Sequence, residues 1–486
     1  MIFPSMPRHT KIISTLGPAS SSRDTIADLI EAGTDVVRLN FSHGEHEDHR
    51  RVVTLVREEA KKQDRQVTIL QDLQGPRIRV SPVQGGTVLL SEGTQVTISA
   101  STSPDNVSSE SHIYISYKAL AQDVAPGGQI LIDDGRLSLT VLSIKGDDVY
   151  AHVDVGGVLK SRKGVNLPRV RTSGPALTEK DLADLEVAID LNIDWIALSF
   201  VRNETDVVHL RKHLKAAGHR AGVIAKIEKP EAFDAIDNIL AVSDGIMVAR
   251  GDLGIEMPMS SIPHAQKTII HKCLLAGKPV ITATQMLESM IEDHVPTRAE
   301  ASDVANAVLD GTDAVMLSGE TAVGHHPPRV VEAMARIIKA AEEHWYALPE
   351  KSRGLPEELS DVEDSRDITD AVSLTACELA THVGARALVC LTASGATARA
   401  LAKHRPRMPV YAFTDSPNVI GQAGILWGTK AFQIPFQSDT DAGVRLVQQT
   451  LVSKGYIRSG DTIVICAGMP LPRKGRTNLV HVSYVD

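Results

Sequence analysis

Aromatic residues make up only 3% of this chain, too few to build a carbohydrate-stacking groove or a platform for nucleic-acid bases. An excess of positive charge is missing too. The formal charge of -9 and isoelectric point near 6.1 give no general attraction to nucleic acid or anionic lipid, so any anion must be bound locally. The four cysteines, Cys273, Cys377, Cys390 and Cys466, are scattered, form no CxxC pair and lie in apolar or helical surroundings, as reduced core thiols do. A cytoplasmic protein is expected. No segment approaches the roughly 18 apolar residues of a membrane span, and the stretch from Met1 to Thr10, with Pro4 and Pro7, carries no apolar run of an export signal. Neither G-x-x-x-x-G-K-[ST] nor G-x-G-x-x-G occurs, so a nucleotide would have to bind without a Walker loop or a dinucleotide fingerprint.

What is present is the composition of a large globular protein. Hydrophobic residues reach 43% and charged residues 23%, and 486 residues exceed what one core usually serves, so two or three domains are expected. Short β-branched runs alternate with longer amphipathic stretches up to Trp345, the mark of repeated βα units. Strands are predicted at Lys11 to Leu16, Asp35 to Asn40, Val67 to Asp72, Asp194 to Phe200, Val223 to Glu228, Gly245 to Arg250, Pro279 to Gln285 and Ala314 to Glu320. Eight is the number of a (β/α)8 barrel. Helices are predicted at Ser21 to Ala32, Thr178 to Leu191, Pro263 to Ala276 and Arg298 to Leu309, with Thr178 and Asp181 spaced as a capping box.

Roughly a hundred residues separate the third and fourth strands, far more than a single βα connection needs, so an inserted domain is expected there. Between Pro76 and Gly174 the texture changes to short alternating strands broken by turns, as in Gln129 to Asp133, the Asp134-Gly135 turn and Leu137 to Ile144. A small β-barrel lid fits. An acidic, proline-containing linker follows over 349–367, and strands at Ala387 to Leu391, Val410 to Phe413, Ala431 to Ile434 and Thr462 to Cys466 then alternate with helices, as in an open doubly wound sheet. The expected division is a barrel over 1–75 and 175–348, a lid over 76–174 and a C-terminal α/β domain over 349–486.

In such a barrel, catalytic groups stand at the C-terminal ends of the strands. The second run ends in Arg38, Asn40 and Ser42, the third in Asp72, the fifth in Lys226 and Glu228 and the sixth in Arg250 and Asp252. The seventh ends in Thr284 and the eighth in Ser318 and Glu320. Taken singly, each is as easily half of a structural ion pair, but together they converge on one mouth. Glu228 and Asp252, on neighbouring strands, suit Mg²⁺, which prefers a couple of carboxylates, and Arg38 with Lys226 suits an anion. Two cations, a divalent metal and a water-excluding lid are the parts phosphoryl transfer needs. The glycine-rich turn Ala249-Arg-Gly-Asp-Leu-Gly254 offers exposed amides to a carboxylate if a helical turn begins there.

Long segments now carry a resemblance: VVRLNFSHG (Val36 to Gly44), AKIEKPE (Ala225 to Glu231), VARGDLG (Val248 to Gly254), TATQMLESM (Thr282 to Met290) and the run from Pro296 to Thr321. In this order they resemble the pyruvate kinases nearly end to end. The resemblance implies Mg²⁺- or Mn²⁺-dependent transfer of the phosphoryl group of phosphoenolpyruvate to ADP, giving pyruvate and ATP. It implies a homotetramer joined through the barrel and C-terminal domains. It assigns Arg38 and Lys226 to the transferring group, Lys226 stabilising the transition state, and Glu228 and Asp252 to the metal. Gly251 and Asp252 would offer backbone amides to the substrate carboxylate, with Thr284 beside the methylene carbon. Asn40, Arg79 and Lys163 match nucleotide-phosphate contacts, and Ser318 with Glu320 resembles a proton relay.

Two departures stand out. Arg169 follows Gly164-Val-Asn-Leu-Pro168 where glycine is frequent in the family, and Asp72-Leu-Gln-Gly-Pro-Arg-Ile-Arg79 replaces the DTKGPEIR of potassium-dependent relatives. In those relatives the ion lies among groups matching Asn40, Ser42, Asp72 and the carbonyl of Leu73. Leu73 brings no hydroxyl and Arg77 brings a permanent cation, so if Arg77 reaches this pocket and pairs with Asp72, activity without K⁺ is expected. The loop Thr392-Ala-Ser-Gly-Ala-Thr397 follows a strand and opens a helix. A helix cap and a phosphate loop both fit, and the resemblance to the family's sugar-phosphate site makes Thr392, Ser394, Gly395 and Thr397 candidate ligands for a phosphorylated effector. His43, His46 and His49, in an acidic polar segment, read as solvated rather than metal-binding. The rival readings are a Mg²⁺-dependent lyase or aldolase that enolises pyruvate, against which the lid and Lys226 speak, and an inactive sugar-phosphate sensor, which should have lost ligands that are all present here.

Overall fold

The computed structural model describes residues 8–103, 105–349, 352–359, 367–435, 439–469 and 477–486. The opening residues 1–7, with Pro4 and Pro7, and the linker portions 350–351 and 360–366 lie outside the described residues.

Eight parallel strands close into a barrel in chain order: β1 (Lys11–Leu16), β2 (Val36–Asn40), β3 (Thr68–Asp72), β4 (Trp195–Leu198), β5 (Gly222–Ile227), β6 (Gly245–Ala249), β7 (Val280–Ala283) and β8 (Ala314–Leu317). Their period of two sorts the side chains. Ile12, Val37, Ile69, Ile196, Val223 and Ile246 face the surrounding helices, whereas Ile13, Val36, Leu70, Ala197, Ile224 and Met247 fill the interior. Helices form where predicted, at Arg23–Ala32, Glu179–Asp190, Ile262–Ala276 and Arg298–Leu309. The capping box of Thr178 and Asp181 is present, and Asp181 also accepts the Gly75 amide at 3.0 Å, fixing the point where the chain leaves for the lid. Gly75 has φ +67, and a Cβ there would stand 2.9 Å from the Phe200 ring, so glycine is required on both counts.

In the insert, a six-stranded sheet runs Val165–Asn166, Gln129–Ile132, Leu137–Lys145, Asp148–Val155, Gln95–Ala100 and His112–Ile115, beside a ribbon of Thr87–Leu90 and Gly157–Lys160. Bridges from Arg79 to Gly164 and from Val80 to Ile115 join the two edges of the larger sheet, so it closes around its own apolar core of Ile98, Ile113, Leu139 and Val153. The third domain is a five-stranded sheet, β9 (Ala387–Leu391), β10 (Val410–Thr414), β11 (Thr429–Gln433), β12 (Thr462–Ala467) and β13 (Leu479–Tyr484), ordered β11-β10-β9-β12-β13. The last strand, antiparallel to β12, was not among the predicted ones. Its alternation is diluted by His481 and Ser483, and no residue of it is fully buried.

This domain seats on the N-terminal end of the barrel. Trp195 and Leu70 of the barrel interior share one hydrophobic cluster with Trp345, Trp427, Leu388 and Val464. Arg405, buried, pairs with Asp313 at 2.9 Å, and the Thr68 hydroxyl donates to the Gly421 carbonyl at 2.6 Å. All four cysteines are buried and unpaired, and burial pushes the Cys466 thiol up to about 12, so they behave as core residues.

Candidate active site

At the opposite end of the barrel, the strands deliver their polar ends into a cleft of about 500 Å³. Arg38 and Lys226 line it with the carboxylates of Asp72, Glu228 and Asp252, and Asn40, Ser42, Arg77, Thr284 and Ser318 complete the predicted set that meets there. Lys226 is the hub. Its Nζ stands 2.8 Å from Glu228 Oε1, 3.2 Å from Asp72 Oδ1 and 2.7 Å from the Ser199 hydroxyl. Arg38 Nε donates to Asp72 Oδ2 at 2.7 Å, and a terminal nitrogen of Arg38 donates to Thr15 at 3.0 Å.

The electrostatics follow from this packing. Burial pushes the Asp72 carboxyl up, but Lys226 and Arg38 together outweigh it and hold the group below the usual carboxylate range. Glu228 goes the other way. Burial and the nearby Asp252 charge raise it in spite of Lys226 and the Phe200 amide, which donates to Oε2 at 2.6 Å. Lys226 is raised because Asp72 and Glu228 outweigh the cost of its burial. Among the described residues the Asp252 carboxylate has no hydrogen bond or ion pair, and with Glu228 it presents only oxygen donors to the cleft. Two crowded carboxylates, one of them unpartnered, fit a hard divalent cation.

On the far wall the seventh strand ends in a tight turn, Thr284 at φ +67 and Gln285 at φ +54. Here the Thr284 hydroxyl accepts the Gly251 amide at 2.8 Å. A helix does begin at this point, Arg250–Glu256, but the Gly251 amide at its start is taken by the Thr284 hydroxyl and is not left free. Burial raises Glu320, which accepts the Ser318 amide at 2.6 Å and the Leu287 amide at 3.1 Å, standing behind Ser318 rather than on the cleft wall.

Known proteins resemble the chain over nearly its whole length. Residues 7–331 match the family model of the pyruvate kinase barrel domain, and residues 370–483 match that of the pyruvate kinase alpha/beta domain. The chain belongs to the pyruvate kinase family. It is 45% identical over 480 residues to a pyruvate kinase of Mycobacterium intracellulare, covering 99% of both chains. It is 43% identical to one of Geobacillus stearothermophilus, covering 99% of this chain and 81% of the relative. A solved pyruvate kinase from Cryptosporidium parvum superposes with a TM-score of 0.89 at 36% identity, covering 99% of this chain and 96% of that one. The lyase and sensor readings fall with this membership.

Other family-derived residues lie elsewhere. Lys163 pairs with Asp133 at 2.7 Å and Arg79 donates to the Arg162 carbonyl at 3.1 Å, both in the lid and off the cleft wall. The Asn166 amide of the lid reaches Glu256 of the barrel at 3.1 Å. Arg169, at φ +60, occupies the position where glycine is frequent. Arg77 does reach the cleft, but it forms no pair with Asp72, whose two oxygens are already used by Arg38 and Lys226. The Leu73 side chain is buried and its carbonyl accepts the Ser199 hydroxyl at 2.7 Å.

In the C-terminal loop the Thr392 hydroxyl accepts the Gly395 amide at 3.0 Å and Ser394 is exposed, whereas Thr397 is buried against Thr477 at 2.7 Å. Gly395, at φ +77, is the left-handed N-cap of helix Ala396–Lys403. His43 and His46 are exposed, as expected, and His49 is half-buried. His46 lies 2.7 Å from the buried carboxylate of Asp184, and His49 stacks on Phe41 at 4.0 Å, because the helix from His46 lies over the barrel. Ser199 and Thr15 were missed. Both are polar residues at or near the C-terminal ends of barrel strands, the same signal that found Asp72.

Proposed function

We propose that this cleft transfers the phosphoryl group of phosphoenolpyruvate to ADP, with Lys226 and Arg38 on the phosphoryl group and Glu228 and Asp252 holding Mg²⁺ or Mn²⁺. The observation that carries this reading is Lys226, fixed between Asp72 and Glu228 in the cleft that Thr284 also lines. The bound ion would supply charge neutralisation to the transferring group. The protein's own part is positioning. Arg38 and Lys226 offer preorganised donors where negative charge develops, and the Asp252 amide, with the Gly251 amide once it leaves the Thr284 hydroxyl, holds the substrate carboxylate with Thr284 at the methylene carbon. Ser318, fixed through its amide by Glu320, passes the proton that turns enolpyruvate into pyruvate. The lid excludes water, and Asn40, Arg79 and Lys163 take the ADP phosphates once the lid closes and Lys163 exchanges Asp133 for phosphate.

The monovalent-cation pocket of Asn40, Ser42, Asp72, Leu73 and Arg77 works without K⁺ in this reading. Support comes from the Leu73 carbonyl, already capped by Ser199, and from Arg77 among the residues that line the cleft. Its charge acts across the cleft rather than through a pair with Asp72. A cytoplasmic homotetramer, responsive to a phosphorylated metabolite at Thr392, Ser394, Gly395 and Thr397, completes the proposal.

Steady-state assay of phosphoenolpyruvate and ADP with Mg²⁺ is the test. Pyruvate and ATP should form in tetramethylammonium buffer at nearly the rate seen with K⁺, and Arg77→Glu with Leu73→Thr should create a K⁺ requirement. An enzyme silent without K⁺ would reject the K⁺-independent part, and one that releases no ADP-dependent pyruvate would reject the whole.

A further inference from the structure

Arg250 opens the helix that carries Gly251 and Asp252, yet its side chain points across to the end of β7. There Nε donates to the Ala283 carbonyl at 3.2 Å and one terminal nitrogen donates to the Thr284 carbonyl at 2.7 Å, with the Met286 sulfur also at 2.7 Å. The other terminal nitrogen donates to Asp303 at 2.7 Å and to Gln266 at 3.3 Å, and Gln266 in turn donates to Asp310 at 2.9 Å. One guanidinium, 11% exposed, thus ties two strand ends to the helices Ile262–Ala276 and Arg298–Leu309.

The two carbonyls it takes belong to a strained turn. Consecutive left-handed residues are unusual outside glycine, and a β-branched threonine in that region is an outlier that persists only where its surroundings enforce it. Turning the chain this way takes the Thr284 carbonyl out of the strand ladder, which ends with Ala283 opposite Ala249, and a buried carbonyl left without a donor is costly. Arg250 donates to both carbonyls from one rigid plane, which no lysine can copy, and the Thr284 hydroxyl adds its own bond to the Ala283 carbonyl at 2.6 Å. As a result the Thr284 hydroxyl is held at the Gly251 amide.

We infer that Arg250 is the positioning residue that sets the distance between the Gly251 amide and the Thr284 hydroxyl, and so the placement of the substrate's carboxylate and methylene carbon. This rests on the reading that Gly251 and Thr284 receive the substrate. Arg250 acts only through those groups and touches neither the phosphoryl-binding pair nor the metal carboxylates.

The experiment compares Arg250→Lys, Asp303→Asn and Thr284→Val with wild type by steady-state kinetics, by exchange of pyruvate methyl protons with deuterated solvent, and by thermal melting. In Arg250→Lys, KM for phosphoenolpyruvate should rise about tenfold and methyl exchange should slow about tenfold, because one ammonium cannot hold both carbonyls. The KM for ADP and the Mg²⁺ activation curve should stay as in wild type. Asp303→Asn should shift the same two quantities more weakly, and guanidinium ion added to a folded Arg250→Ala enzyme should restore exchange. Arg250→Lys with wild-type KM and exchange, or with ADP and Mg²⁺ use impaired to the same extent, would overturn the inference. Wild-type exchange in Thr284→Val would instead remove the reading of the site beneath it.

Discussion

Lys226 stands among more negative charge than it can neutralise, with Asp72 and Glu228 bonded to it and Asp252 close by. Removing its ammonium in Lys226→Met should cut kcat by several orders of magnitude while KM for phosphoenolpyruvate moves far less, since the lost contact matters most in the transition state. A raised KM with intact kcat would refute that role. Glu228→Gln should flatten the Mg²⁺ activation curve, and an unaltered titration would exclude it as a ligand. The same trio predicts a pH signature in stability. Asp72 is held low, so its contribution to the fold is present above the ordinary carboxylate range and is lost as pH falls through its depressed value. Glu228 is held high, so its contribution is present below that range and is lost as pH climbs through its raised value. Lys226→Met removes the cation that holds Asp72 low, so melting the two proteins across acid to neutral pH should show the stability gap between them narrow on the acid side, as Asp72 takes up its proton. At this scale the sequence was most legible where a charge ended an apolar run, as at Asp72 and Lys226. It was least legible where a hydroxyl did the work, as at Ser199 and Thr15, because serine and threonine at a strand end look like any turn.

The first three barrel strands end where predicted, at Leu16, Asn40 and Asp72, whereas the last five stop short, where the chain turns toward the cleft. Phe200, Glu228, Arg250, Gln285 and Glu320 extend the apolar runs in the sequence but leave the ladder, as their backbones bend to aim side chains or amides at or behind the cleft. Helix Pro417–Ala423 shows a different limit. Its Gly421 faces Asp194 so closely that a Cβ would fall 1.7 Å from the carboxylate, and only the fold reveals this, since the two lie on different domains. Burial lifts Asp194 to about 6 against the opposing Ile69 amide and Arg57 charge. Gly421→Ala should force this contact open and cost about 2 kcal/mol or more, read as a fall in melting temperature. An unchanged melting temperature would mean the helix simply slides away. The hundred-residue gap and the short alternating strands found the inserted domain and its small β-barrel, but not where that barrel closes, because the bridges at Arg79 and Val80 belong to residues outside any regular strand.

As a whole, the molecule places its effector candidate and its chemistry at opposite ends of one barrel, joined by a core that runs from Leu70 and Met247 into Trp427 and Leu388. A phosphorylated ligand at the Thr392 loop can influence the cleft only by favouring one packing of that shared core over another. Replacing Ser394 and Thr397 together by alanine should abolish activation in a sugar-phosphate titration, and activation that survives would leave the loop an ordinary helix cap. Domain number and order were readable from the change of texture at Pro76 and from the acidic linker, whereas the seating of the third domain rests on Arg405, Asp313 and Thr68, which nothing in the chain marks as partners. The lid joins the barrel quite differently. Its outgoing and returning chains lie side by side, Arg79 bridged to Gly164 and the Val165 amide on the Ile78 carbonyl at 3.0 Å, so the whole insert hangs from what is geometrically one hairpin stem. A turn of about two residues can span such a stem. In genetic terms the lid is a cassette, since an in-frame deletion between these neighbours would leave the path of the barrel chain continuous.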